Sequence, residues 1–253
     1  MGRRWLLLVL LFTLPANVNA SQADTKQVWN DIAASVLEFG KQEQFDRSKM
    51  MLEKFATVFP GDQSSELSTT ELRVVLNTHD RALKAVTSMD EANDQRLQAL
   101  TEFRLAVDAL VTEKQPIWQQ TDDQILPLIN EMATAIEHGD VDVYNASKDR
   151  FLGSYSVIRP ALAIDLSKET QQRLDSHIAF IESYASERNS ELAGQLQTMY
   201  DDFEQAYHPS PFEESSLIWL IISIGGTIIL TLLYVIYRKY KGEKEAVRKK
   251  LVE

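Results

Sequence analysis

Two histidines are the side chains of this sequence whose type and placement best suit metal binding or proton transfer. His79 lies on the apolar stripe of one predicted helix, and His177 lies beside the stripe of another. Imidazole binds metals and exchanges protons near neutral pH. The two could therefore form one paired site. A pair of partly buried histidines with satisfied ring nitrogens explains the same pattern, and we favour that structural role.

Two acidic pairs are the next candidates for chemistry, because carboxylates bind cations. They are Asp122-Asp123 and Asp201-Asp202, and both fall near predicted helix ends. Carboxylates at such positions commonly interact with the helix dipole or with water. We therefore expect them to be helix-end charges, with a cation site as the less favoured alternative.

The spacings that define common catalytic and metal sites are missing. None of the four histidines has Glu three residues before it, as di-iron bundles require, and there is no His-Glu-x-x-His. There is also no Cys-x-x-Cys-His, no glycine-rich phosphate loop and no Gly-x-Ser-x-Gly. The chain contains no cysteine. We predict that the protein is not an enzyme and has no catalytic, cofactor-binding or metal-binding residues.

An uncharged apolar segment at 217–237 dominates the C-terminal region. Its 21 residues match the roughly 20 that a helix needs to cross a bilayer. Trp219 lies near one end and Tyr234 and Tyr237 near the other, where aromatic residues meet the membrane interface. The segment therefore predicts one transmembrane helix. A buried core helix is the less favoured alternative.

The N-terminus has the organisation of a signal peptide. Arg3 and Arg4 precede an apolar run at 6–14, and small residues at Val18 and Ala20 fit a cleavage site after Ala20. We predict a signal peptide at 1–20, with an uncleaved anchor as the alternative.

The distribution of charged residues predicts how the chain is oriented in the membrane. Residues 238–253 contain seven Lys or Arg and three Glu, which places this basic tail in the cytoplasm by the positive-inside rule. Residues 21–216 are then exported, with 17 basic and 34 acidic residues. Such a surface repels nucleic acid and could attract a basic partner. We predict a cell-membrane protein with an unidentified protein partner and no nucleic-acid partner.

Helix-forming residues and apolar stripes at helical spacing predict an all-α exported domain at 21–208 with about eight helices. Residues 209–216, with Pro209 and Pro211, form a juxtamembrane linker. We expect the first helix to begin at Asp24, with Val28 on its buried face, and capping boxes at Ser68–Glu71 and Ser88–Glu91. Pro116 is expected to close the fourth helix. The sixth helix is expected from about Asp140 to Ser156, with a break at Arg159-Pro160.

A shift of 99 residues overlays the two halves of this domain, at about 24–115 and 122–207. Gly40 falls on Gly139 and Phe45 on Tyr144. This predicts a duplicated four-helix unit, arranged as a bundle or as a short solenoid of helical hairpins. Both glycines are expected in left-handed helix ends. Both aromatic residues are expected in matching pockets, where truncation would cost similar stability.

The layout resembles the sporulation protein YpjB family of endospore-forming bacilli. The features that carry the resemblance are the signal, the Trp29 helix leading into FDRSKMMLEKFATVFP, the helical exported region, the late span and the basic tail. The resemblance implies a membrane protein made for spore development in the mother cell. The family carries no agreed biochemical activity, so the resemblance assigns no site residues to this chain.

These observations favour a single-pass membrane protein with a non-enzymatic, extracytoplasmic interaction domain that acts in sporulation. The alternative is an extracytoplasmic sensor or an accessory factor for a wall-modifying enzyme. A metal-binding protein that uses His79 and His177 is the least favoured reading.

Overall fold

Helices account for the regular structure of the chain. The computed structural model describes residues 18–61, 64, 66–183, 190–209, 222–235, 237 and 239, and no β-strand occurs among them. The helices up to residue 207 are α1 Val18–Lys41, α2 Phe45–Val58, α3 Thr69–Thr87, α4 Asn93–Val111, the 3₁₀ helix Ile117–Thr121, α5 Asp122–His138, α6 Val141–Asp165, α7 Lys168–Ser183 and α8 Ser190–Tyr207. The all-α prediction is confirmed for these residues.

The chain divides into two compact units after Tyr207. In the first unit, each half forms a ring of four helices. Helix α1 contacts α2 and α4, and α3 closes the ring by contacting both of those helices. The same pairs recur in the second half, where α5 contacts α6 and α8, and α7 contacts both. Each half is therefore a closed bundle and not an open solenoid, in the order that the 99-residue repeat predicts.

Each half has its own hydrophobic core. Aromatic side chains dominate the first core: Phe55 lies 4.9 Å from Phe59 and 5.0 Å from Phe103 between ring centroids, and Trp29 lies 4.9 Å from Phe59. The second core is larger and is built around Phe151, Tyr155 and Phe203. Burial of these large side chains is the main favourable contribution to folding.

Helix α4 joins the two cores. Phe103 and Val107 belong to the first core, whereas Leu105 and Ala109 belong to the second. Helix α6 packs along α4 and completes the joint. The two halves consequently share one helix and form a single compact unit.

Polar contacts reinforce this joint. Arg104 donates to Asn30 Oδ1 at 2.8 Å, and its Nη2 lies 3.4 Å from Asp108 Oδ1. Asp108 Oδ2 accepts the backbone N–H of Ile117 at 2.6 Å, and Trp118 Nε1 donates to Asp165 at 2.8 Å. Burial lowers the pKa of Arg104, and the carboxylate of Asp108 opposes that shift. Buried charges need such partners, because they have lost their hydration.

Two expectations for the early helices are wrong in detail. Helix α1 begins at Val18 and not at Asp24. Its buried face includes Trp29, while Val28 is 43% exposed. Ile32 and Val36 of the predicted stripe are buried, and only at Val28 does the neighbouring indole, with its larger apolar area, take the place in the core. The expected signal peptide lies almost wholly in residues 1–17, outside the described residues.

Capping and proline signals have mixed outcomes. Ser68 and Glu71 form the predicted capping box. The box at Ser88 is wrong, because α4 begins only at Asn93 after Ala92. Pro116 likewise does not close α4, which ends at Val111; it precedes the 3₁₀ helix.

The expected break at Pro160 is also wrong, since α6 runs through it to Asp165. An interior proline costs about 3 kcal/mol or more in lost hydrogen bonding and strain. The turns beyond Pro160 bury Ala161 and Leu162 in the second core. This burial offsets the cost of the proline.

The two repeat-related turns differ. Gly139 ends α5 with a φ of 69°, as predicted. Gly40 remains inside α1, and the positive φ of that turn falls on Glu43. Glycine is favoured at position 40 for another reason, because a Cβ there would lie 2.3 Å from Leu100 Cδ1 and that buried side chain would have to shift. The left-handed prediction is therefore right for Gly139 and wrong for Gly40.

The second unit begins at His208. Residues 222–235 are helical with exposed apolar side chains. No helix in the described part of the chain is both long and apolar enough to cross a bilayer. Residues 217–221 and 236 of the expected span lie outside the described residues, as do residues 210–216 of the linker and nearly all of the tail.

Candidate functional site

A cleft of about 350 Å³ opens between α3 of the first half and α6 and α7 of the second half. We call it the α3–α6–α7 cleft. Its apolar lining is Val74, Pro160, Leu162, Ala163 and Leu174; its polar and aromatic lining is Asn77, Thr78, Arg81, Tyr155, Ser156, Arg159, Gln171 and Asp175. Its volume falls in the range of small-ligand sites, and its lining mixes apolar surface with a few polar groups, as such sites do.

An arginine–carboxylate–phenol cluster forms the second-half wall. Arg159 Nε and Nη2 donate to the two oxygens of Asp175, each at 3.0 Å. The Tyr155 hydroxyl donates to Asp175 Oδ1 at 2.9 Å. This two-point geometry fixes the guanidinium plane. The hydrogen bonds from Arg159 hold the pKa of Asp175 below its usual value. Burial raises the pKa of Tyr155, so its phenol is neutral at physiological pH.

A second arginine–carboxylate pair forms the first-half wall. Arg81 Nη2 donates to Glu102 Oε1 at 3.2 Å, and Nη1 lies 2.7 Å from Oε2. That shorter contact is an ion pair. The Glu102 side chain is only 1% exposed. Desolvation by burial raises the pKa of Glu102, and Arg81 opposes the rise.

Gln98 links the Glu102 pair to the other half of the domain. Its amide donates to Glu102 Oε1 at 3.3 Å and to Ser156 Oγ on α6 at 3.1 Å. The two walls of the cleft are thus connected through α4 by hydrogen bonds. This connection positions both arginines on one framework.

The two candidate histidines lie in different places. His79 belongs to the first half, where its Nε2 lies 2.9 Å from the carbonyl oxygen of Leu52 and its ring stacks on Phe55. His177 lies on α7, with Nε2 2.7 Å from Asp202 on α8. Each ring has a local structural partner, as the favoured interpretation expects. No group of three metal-ligating side chains occurs within the part of the chain that the structure describes.

The acidic pairs also have local partners. Asp122 Oδ1 accepts the backbone N–H of Asp123 at the start of α5. Asp201 accepts from Gln197 at 2.9 Å, while Asp202 interacts with His177 and lies 3.3 Å from Arg173. Asp122 and Asp123 are helix-end charges, as expected. The helix-end expectation is wrong for Asp201 and Asp202, which lie inside α8 and make contacts within that helix and with α7.

Sequence reasoning missed the residues of the cleft. Arg81, Arg159 and Asp175 lie in three separate helices, and no fixed spacing joins them. One available signal, for the neighbouring Arg81–Glu102 pair, was that Glu102 stands between Ala99 and Ala106 on α4, two small residues that are both buried.

The fold and cleft define a class of all-helical protein in which two four-helix bundles share a central helix and enclose a polar cleft. The chain belongs to the Sporulation protein YpjB family, whose model matches residues 27–249. This confirms the resemblance found in the sequence, and the family suggests a role in sporulation.

A relative in Bacillus subtilis (strain 168) carries the name "Uncharacterized protein YpjB". It is 25% identical to this chain over 257 residues, and the match covers 96% of each protein. The similarity therefore extends over the whole layout and not over a single helical segment. No solved structure matches this chain.

Proposed function

We propose that this chain is a single-pass membrane protein whose exported, acidic helical domain docks a protein partner during sporulation without catalysing a reaction. The observation that carries the proposal is the order of segments along the chain: an acidic two-bundle domain, then an uncharged segment at 217–237, then a basic tail. Family membership supplies the sporulation setting.

Membrane attachment rests on the amino-acid sequence. The segment at 217–237 has the length, aromatic ends and flanking basic residues of a spanning helix. The N-terminal 20 residues have the pattern of a secretory signal. Together they support export of the helical domain, with the basic tail held in the cytoplasm.

Docking is supported by the construction of the helical domain. Its two cores share α4, and polar contacts cross the joint, so the domain can present a fixed surface. Fixed surfaces bind with a smaller loss of conformational entropy than mobile ones. The excess of acidic residues favours a partner with a basic surface, through electrostatic complementarity.

The proposal is tested by cross-linking and affinity capture from sporulating Bacillus subtilis that expresses the tagged full chain in place of its own relative. The control chain has residues 21–208 replaced by an unrelated exported domain of similar charge. We expect one or more proteins that the full chain captures and the control does not. Identical captured sets would refute docking by the helical domain.

A second candidate function is an extracytoplasmic sensor or an accessory factor for a wall-modifying enzyme. The observation that favours it is the α3–α6–α7 cleft, because a sensor needs a ligand site. Replacing residues 217–253 with an unrelated span and tail separates the candidates. Docking alone predicts normal sporulation after the replacement. Signalling to the cytoplasm predicts its loss.

A further inference from the structure

We infer that the α3–α6–α7 cleft binds a small organic oxyanion, a carboxylate or a phosphate ester with a compact apolar group, between Arg81 and Arg159. This goes beyond the docking function, since it concerns a small ligand and not a protein partner. The inference stands on the distribution of hydrogen-bond donors and acceptors in the cleft.

The carboxylate that lines the cleft, Asp175, and the carboxylate next to it, Glu102, are each already paired with an arginine. Both oxygens of Asp175 accept from Arg159, and one also accepts from Tyr155. The carboxylate of Glu102 lies buried behind Arg81, and Gln98 also donates to it. A cationic ligand would therefore find no exposed, uncommitted carboxylate in the described lining.

Donors remain. A guanidinium has five N–H groups. The pair with Asp175 engages Nε and Nη2 of Arg159 and leaves Nη1, while the pair with Glu102 leaves Nε of Arg81 and further N–H groups. The two arginine side chains, which both line the cleft, are 60% and 61% exposed. An oxyanion supplies the acceptors that these groups lack.

The paired carboxylates prepare the arginines for a ligand. Each guanidinium is held by a carboxylate, so little side-chain freedom is lost when an oxyanion binds. Hydrogen bonding with Asp175 raises the pKa of Arg159, which keeps that side chain cationic. Val74, Pro160 and Ala163 also line the cleft and are half-buried, so they offer apolar surface for a carbon skeleton. The cleft thus favours an anion with an apolar group over a bare inorganic ion.

The test is equilibrium dialysis of the purified full chain in detergent against three labelled probes. N-acetyl-leucine carries a carboxylate and a branched apolar group. N-acetyl-leucinamide has the same size without the charge, and isoamyl phosphate replaces the carboxylate with a phosphate. For ligands this small we expect saturable binding in the millimolar range. Binding of one or both anions, with the amide at least about tenfold weaker, supports the inference and identifies the anion.

Substitutions of single arginines test whether the anion binds in the α3–α6–α7 cleft. Arg159→Gln should weaken anion binding at least about tenfold. The matched control is Arg150→Gln, which removes another exposed arginine of α6 that pairs with Glu131 away from the cleft. The control should bind as the wild type does. Should Arg159→Gln fail to fold, the Arg159→Gln/Asp175→Asn double variant replaces it and leaves no unpaired carboxylate.

Three results would overturn the inference. The first is equal binding of N-acetyl-leucinamide and N-acetyl-leucine, which would show that charge plays no part. The second is the absence of saturable binding for both anions. The third is an equal loss of binding in the Arg159 and Arg150 variants, which would assign the effect to general surface charge.

Discussion

The two halves repeat the same order and pairing of helices, yet their fourth helices lie in different environments. Helix α8 buries one face, with Leu192, Leu196, Met199 and Phe203 directed into the second core. Helix α4 is buried almost continuously from Ala99 to Leu110, because it lies between the first core and α6. Equivalent positions in a duplicated chain therefore acquire different surroundings once the copies pack together.

The difference explains why charged residues are buried in one copy. Glu102, Arg104 and Asp108 of α4 are all buried. Asp201 and Glu204 of α8 are exposed. Packing of the second half on α4 enclosed the charges and required partners for them. The shared helix thus forms the joint between the halves, and its Glu102 pairs with Arg81, which lines the cleft.

The largest expected difference between the halves concerns Phe45 and Tyr144. Tyr144 is 1% exposed, so Tyr144→Ala should cost about 3–5 kcal/mol of stability. Phe45 is half-buried, with the Arg96 guanidinium 4.9 Å from its ring centroid. Phe45→Ala should cost less than half as much. This replaces the sequence expectation of similar costs.

Urea unfolding of the full chain in detergent measures both costs. Tryptophan fluorescence is a suitable probe, because Trp29 and Trp118 are buried in the first and second halves respectively. Equal losses in the two variants would contradict the assigned environments and restore the matching pockets that the repeat predicts.

The repeat-related glycines should give the next largest effects. Gly40→Ala places a methyl group against Leu100 and should cost about 1–3 kcal/mol through overpacking. Gly139→Ala meets no neighbouring atom within 4 Å. It should cost about 1–2 kcal/mol, because its backbone is left-handed.

A second substitution distinguishes the two causes. Leu100→Val should recover part of the stability lost in Gly40→Ala, since it removes carbon from the crowded contact. The same change should not rescue Gly139→Ala. Rescue of both variants, or of neither, would show that crowding against Leu100 is not the reason for glycine at position 40.

The smallest effects should be opposite pH dependences of the two carboxylates that pair with the cleft arginines. The pKa of Glu102 in the folded protein is raised above 4.5. Its contribution to folding stability is therefore full below pH 4.5 and is lost as pH rises through the folded pKa. The pKa of Asp175 is lowered below 3.8. Its contribution is present above 3.8 and is lost as pH falls through the folded value.

Unfolding free energies of Glu102→Gln and Asp175→Asn from acidic to neutral pH test this comparison. As pH rises, the wild type should lose stability relative to Glu102→Gln. Over the same range it should gain stability relative to Asp175→Asn. The Asp175 effect should be modest, since this side chain is 42% exposed and screened by water. Slopes of the same sign would contradict the assigned burial.

The sequence predicted the parts of this fold that follow from local patterns. Eight helices, the Ser68 capping box and the buried face of α8 all follow from periodicity and capping. The buried charges of α4 and the course of α6 through Pro160 could not be predicted in this way. Both depend on how the second half packs, which no local pattern records. The cleft was missed for the same reason, because its residues meet only in the folded domain.

The central claim is that the helical domain lies outside the cell and the basic tail inside. The chain has no cysteine, so single cysteines can report topology without background. Met89→Cys serves for the domain, since Met89 is 96% exposed, and Glu253→Cys serves for the tail. Intact Bacillus subtilis protoplasts expressing each variant are treated with a membrane-impermeant maleimide. We predict labelling at position 89 in intact protoplasts and at position 253 only after lysis; protection at 89 or labelling at 253 before lysis would contradict the claim.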